Sequence, residues 1–118
     1  MESNKYIIRV FDEVGGEAAI SVSDGDALFK KIDKALMQEV VVVLDFQNIN
    51  FIITAFLNAA IGQLYSKYTS EQLESKLKLE NVKSEDVSLF KLVIERAKEY
   101  FANKEDFDNS VNEVLSND

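Results

Sequence analysis

Val40-Val41-Val42-Val43-Leu44-Asp45-Phe46-Gln47-Asn48-Ile49-Asn50-Phe51-Ile52-Ile53-Thr54-Ala55-Phe56-Leu57 decides how this chain is read. It opens as a nearly unbroken β-branched run, and such a run without polar alternation is the pattern of a central strand covered on both faces. From its far end, Ala55, Phe56, Ala59, Ala60, Leu64 and Tyr65 fall at three- and four-residue intervals, which predicts a helix from about Thr54 to Tyr68 with one apolar stripe. Between the two, Asp45, Gln47, Asn48 and Asn50 supply polar side chains, and Asp and Asn in particular favour turns. The expected result is a strand that ends at an exposed polar corner and returns to the core as a helix. That corner is the place to look for function.

Toward the N-terminus, Tyr6 to Phe11 and Glu17 to Val22 read as strands. Val14-Gly15-Gly16-Glu17 between them predicts a tight hairpin turn, because glycine takes positive φ without steric cost. Ser23-Asp24-Gly25-Asp26 offers capping oxygens and negative charge to a helix that carries Ala27, Leu28, Ile32, Ala35 and Leu36 and runs to about Gln38. Toward the C-terminus, Ser70 to Ser75 reads as a helical turn and Leu77 to Glu80 as a short strand. Ser84-Glu85-Asp86 reads as the N-cap of a helix from about Glu85 to Phe101 that buries Val87, Phe90, Val93, Ile94, Ala97 and Phe101. Phe107, Val111, Val114 and Leu115 keep helical spacing among acidic and Asn residues, and predict a short final helix in the tail, about 104–116.

The predicted order of strand, strand, helix, strand, helix, strand, helix is an α/β fold: a mixed β-sheet with an opening hairpin, then alternating strands and helices, with the helices packed on it. One domain is expected over 1–118, with its core at about 6–101. Binding surfaces of such sheets favour the carboxyl ends of central strands, where Asp45 to Thr54 sits.

Among the 118 residues there is no His and no Cys, which removes imidazole and thiolate chemistry and the common zinc sites. Acid pairs such as Asp24/Asp26 and Glu105/Asp106/Asp108 lack the spacing of a calcium loop, Gly15-Gly16 lacks the dinucleotide fingerprint, and no Walker pattern occurs. No motif sets a nucleophile beside a base, so the expected protein is no enzyme and has no cofactor or metal. A net charge of -8 disfavours nucleic acid and anionic membranes and suits an electropositive protein surface. The longest apolar stretch, Val40 to Leu44, is far too short to span a bilayer, and a cytoplasmic location is expected.

In this setting the corner from Leu44 to Leu57 resembles the STAS superfamily, named for sulfate transporters and anti-sigma factor antagonists. The nearer resemblance, over roughly Tyr6 to Phe101, is to its uncharacterised bacterial branch of STAS-like domains. The recurring pattern there is a strand ending in Asp-Phe, an apolar segment, a Ser/Thr pair, and Phe-Leu opening a helix. In the antagonists the corner reads Asp-Leu-Ser, then Phe-Ile/Met-Asp-Ser-Ser-Gly-Leu, and the second Ser is phosphorylated by a partner kinase that is also the anti-sigma factor. Asp45 matches the strand-end acid and Phe51 the apolar anchor, while Ile53, Thr54, Ala55 and Phe56 stand where Asp, Ser, Ser and Gly would be. The phosphoacceptor position is thus an alanine. The resemblance implies the fold, the use of the corner and the following helix as a docking surface, and a histidine-kinase-type ATPase as partner.

The expected function is a non-catalytic regulatory protein-protein interaction module. Its candidate partner-binding residues are Asp45, Gln47, Asn48, Asn50, Thr54 and Asn58, and Thr54 is also a candidate phosphosite. Each has a plainer alternative. Asp45 can serve only to cap its turn, Thr54 can cap the helix through its hydroxyl, and asparagines occur in turns without any partner. Phe51, Phe56, Phe90 and Phe101 are assigned to the core. Two further readings stay open: a self-associating scaffold or homodimer that uses an apolar patch on its tail helix, and a small-ligand or nucleotide sensor with a pocket at the strand ends.

Overall fold

The valine run does form the middle strand of a sheet. The computed structural model describes the backbone of residues 5–116 and the side chains of residues 5–102. In chain order its elements are β1 (Lys5–Arg9), α1 (Val10–Val14), β2 (Ala18–Ala19), α2 (Val22–Leu36), β3 (Val41–Asp45), β4 (Phe51–Ile52), α3 (Thr54–Ala60), a 3-10 turn (Gly62–Ser66), α4 (Ser70–Lys76), β5 (Leu77–Glu80), a second 3-10 turn (Ser84–Asp86) and α5 (Val87–Ser116). Strands β1, β3 and β5 make a parallel sheet in that order, with Ile8 level with Leu44 and Leu44 level with Leu79. Strands β2 and β4 form a separate parallel pair.

The α/β class with helices packed on a sheet is as expected, but the opening hairpin is not there. Val10 and Phe11, expected as strand, begin α1, and Gly15 closes that helix at φ 80 with its N–H bonded to the Phe11 carbonyl. A left-handed glycine is a helix C-cap signal as much as a turn signal, and Val10 is buried in the helix as it would be in a strand. Neither feature could tell the two conformations apart. The first two strands are therefore not neighbours, and the connection between β1 and β3 is a parallel crossover.

Smaller shifts occur elsewhere. Ser21 caps α2 by accepting the Asp24 N–H at 3.1 Å, so the cap lies two residues before the predicted Ser23-Asp24 group, and the helix ends at Leu36. Helix α3 stops at Ala60 and continues only as a 3-10 turn, in keeping with the helical cost of Gly62. Helix α4 and β5 fall where they were expected, α4 opened by a capping box between Thr69 and Gln72. Helix α5 is one continuous helix to Ser116 rather than two, and the side chains of Phe107, Val111, Val114 and Leu115 lie outside the described residues.

One core joins Ile8, Val42, Leu44 and Phe46 to Leu28 and Ile32 of α2, Phe56 and Leu57 of α3, and Phe90 and Val93 of α5. The Phe46 and Phe90 rings meet edge to face at 5.0 Å. Helices α2 and α3 approach closely at Gly25, where a Cβ would stand 2.8 Å from the Ala59 Cβ and from the Phe56 carbonyl oxygen.

The strand residues of that core share one face of the sheet. On the other face lie Lys5, Ile7 and Arg9 of β1, Val41, Val43 and Asp45 of β3, and Lys78 and Glu80 of β5. Ile7 is 58% exposed there, and Val43, level with Ile7 and Lys78, is buried but stands outside the core cluster. The central strand is buried on both sides, as its unbroken apolar run predicted, although Val43 packs outside the core cluster and the edge residue Ile7 is open. The order β1-β3-β5 advances in one direction, and two right-handed crossovers that advance the same way put their helices on the same face.

Candidate functional site

Asp45 ends β3, and its Oδ1 accepts the Gln47 N–H at 2.9 Å and the Asn81 side-chain amide at 2.8 Å. The Asn81 bond, then the Gln47 bond, with the charge of Arg9 adding to them, hold the Asp45 carboxyl below the usual carboxylate range against the opposing effect of desolvation. Asn81 reaches it from a left-handed backbone at φ 60, which Asn tolerates better than most residues. Asp45 thus latches two turns together.

The chain then turns tightly, with the Ile49 N–H on the Phe46 carbonyl at 3.1 Å and Asn48 at φ 69. Gln47 and Asn48 expose their side chains. Asn50 is tied down instead. Its N–H reaches the Glu17 carbonyl at 2.8 Å, its side-chain amide donates to Glu17 Oε1 at 2.6 Å, and its side-chain oxygen accepts from Lys83. One asparagine so joins the loop before β2, the corner, and the loop after β5.

Beyond Asn50 the short β2–β4 pair sets Ala18 level with Phe51 and Ala19 level with Ile52. The Ile53 N–H on the Ala19 carbonyl at 3.3 Å carries the pairing one step further. Ala19 turns inward and is buried, so the alternate positions face outward. Phe51 is 59% exposed, Ile53 42%, Ile20 53% and Val22 51%. Phe51 was assigned to the core with Phe56, Phe90 and Phe101. Phe56 and Phe90 are buried and Phe101 half-buried, but Phe51 is on the surface, and Val87 of α5 is exposed as well. An apolar residue on a two-residue strand has no second periodic neighbour to reveal its direction, so spacing could not have placed it.

Thr54 is the first residue of α3 rather than its cap. Ile53 holds the cap position and makes no side-chain capping bond. Thr54 is half-buried, and Asn58, one turn along the same helix, is exposed. Phe51 and Ile53 thus lie on the outer side of the β2–β4 pair with Ile20, and the chain leads directly from them to Thr54 and Asn58 of α3. On the other side of the corner, Arg9, Phe11, Asp12, Asp45, Gln47 and Asn48 line an open hollow of about 280 Å³ at the carboxyl ends of β1 and β3. Its Arg9, Phe11 and Asp12 escaped notice because Arg9 to Phe11 read as strand.

Among the described residues no group of three or more acidic residues is placed to hold a metal ion, and no helix is long and apolar enough to cross a membrane. Compared with known proteins, residues 24–87 match a family described as a STAS-like domain of unknown function (DUF4325). The match covers more than half of the 118 residues and contains β3, the corner, α3 and β5. No curated protein and no solved structure matches the chain.

Proposed function

Since the chain belongs to the family of STAS-like domains of unknown function, we propose that it is a non-catalytic regulatory module that binds another protein through the outer face of β2–β4 and the start of α3. The observation that carries this reading is the set of large apolar side chains at Ile20, Phe51 and Ile53, exposed on the outer face of β2–β4, with Val22 exposed at the start of α2. Contiguous exposed apolar surface with a polar rim marks interaction sites, and here Glu17, Asn50, Lys83 and Asn58 supply the rim. Completing the burial of each half-exposed side chain would add about 1 kcal/mol to binding.

Within this reading the corner residues divide in two. Asp45, Asn48 and Asn50 hold the shape of the surface, while Gln47, Thr54 and Asn58 touch the partner. A histidine-kinase-type ATPase is the partner the resemblance suggests, and the net charge of -8 favours an electropositive face on it. Thr54 is the proposed phosphosite. A phosphate there would add a charge of about -1.5 to -2 beside Ile53 and oppose docking of an apolar partner surface.

Affinity capture from the host with wild type beside a Phe51→Asp and Ile20→Asp double variant tests the proposal, with mass spectrometry reading captured proteins and phosphate on Thr54. A kinase-like ATPase held by wild type and lost by the variant is expected. Equal capture by both would remove the β2–β4 face from the account.

A further inference from the structure

We propose that the face of the β1-β3-β5 sheet opposite the core is an interface between two copies of this chain, covered in each by the acidic end of α5 from the other. Parallel sheets are almost always buried on both faces, and among the described residues the core cluster of this one lies on one side. Its outer face opens Ile7 beside half-buried Val41, with Val43 buried between its neighbours, and carries the cations Lys5, Arg9 and Lys78, the last donating to the Glu74 carbonyl at 2.8 Å. Of its two acids, Asp45 already spends its carboxylate on Gln47 and Asn81, which leaves Glu80. In a chain of net charge -8 this is a locally cationic surface.

A segment of matching chemistry exists in the same chain. Residues 103–118 contain five acidic residues and one lysine, and Phe107, Val111, Val114 and Leu115 recur at the spacing of one helical stripe. An acidic amphipathic helix of this kind suits an apolar strip bordered by lysine and arginine. The chain's own tail is poorly placed for it. Helix α5 packs against α3 and the Gly62–Ser66 turn, on the covered side of the sheet, and continues unbroken to Ser116. A second copy meets no such obstacle, and the exchange is reciprocal, so one two-fold axis forms both contacts and doubles the buried area.

Sedimentation of the full chain through a hundredfold dilution series tests this, with circular dichroism to verify folding. Wild type should sediment at twice the single-chain mass of 13.4 kDa. Ile7→Asp, which changes an exposed edge position, and Leu115→Asp should each reduce it to one chain mass with an unchanged spectrum. Lys5→Glu with Lys78→Glu should do the same, and adding Glu105→Lys with Asp108→Lys in the same chain should restore the dimer. A wild type of single mass throughout overturns the proposal, whether hydrogen exchange finds β1 open or shielded by its own tail. A dimer that survives both Ile7→Asp and Leu115→Asp also overturns it. These positions lie away from Ile20 and Phe51, so failure here and failure of the docking reading are separate results.

Discussion

The Asn81 side-chain amide donates to the Asp45 carboxylate at 2.8 Å, joining the turn after β5 to the turn after β3. The same oxygen takes the Gln47 N–H, so one acid fixes both turns that frame the corner. Hydrogen bonds to a charged acceptor are the stronger kind, and the Glu80 carbonyl adds a third tie by accepting the Phe46 N–H at 2.9 Å.

Asp45→Ala should lower stability by about 1–2 kcal/mol, since it strands the Gln47 N–H and the Asn81 amide together. The folded carboxyl titrates below its ordinary value, so its contribution is present above about pH 4 and is lost as pH falls through the folded value. Urea unfolding should therefore separate wild type from variant near neutral pH and bring them together as pH falls through the folded value. A gap that persisted in acid would mean that the carboxylate charge is not what the two turns use.

Gly25→Ala should destabilise the fold by about 1–3 kcal/mol, although the same change inside an ordinary helix stabilises. The new Cβ would stand 2.8 Å from the Ala59 Cβ and the Phe56 carbonyl oxygen, and the backbone atom cannot swing aside. Thermal unfolding of the single variant measures this. A raised melting temperature would show that α2 and α3 separate easily.

Asp33 and Tyr68 should control the two ends of the pH-stability curve. The Asp33 carboxylate accepts from Lys67 and from the Tyr68 hydroxyl, both at 2.6 Å. The Lys67 bond first, then the Tyr68 bond, lower the Asp33 pKa, while burial and then the Asp33 bond push Tyr68 up to about 12. The Asp33 contribution is present above about pH 4 and lost in acid, and the Tyr68 contribution is present below about pH 10 and lost as pH rises toward the folded value. Asp33→Asn should flatten the acid limb and Tyr68→Phe the alkaline limb, each lowering stability near neutrality by about 1 kcal/mol. Denaturant midpoints across pH read both.

What was legible in the sequence follows the length of the apolar signal. Val41–Asp45 and Leu77–Glu80 carry enough β-branched or alternating residues to declare themselves, and Phe90, Val93 and Ala97 enough helical spacing. Val10-Phe11 followed by Gly15 suits a strand and turn as well as a helix and cap, and only the pairing of β1 with β3 decides it. At the corner, Asp, Asn and Asn mark a turn without saying which side chains will be consumed by it. The partners Glu17, Asn81 and Lys83 lie 33 to 36 residues away from Asn50 or Asp45, beyond any local pattern. The outward direction of Phe51 depends on Ala18 beside it, for the same reason.

Docking through the β2–β4 face is the central claim, and hydrogen exchange of the chain at fixed concentration, with and without its captured partner, tests it most directly. Slowed exchange confined to residues 18–22 and 47–58 is the predicted result, with the Phe51→Asp chain showing none. Slowed exchange at Arg9 to Asp12 and Asp45 to Asn48 instead, leaving Ile20 and Phe51 as open as before, would contradict it.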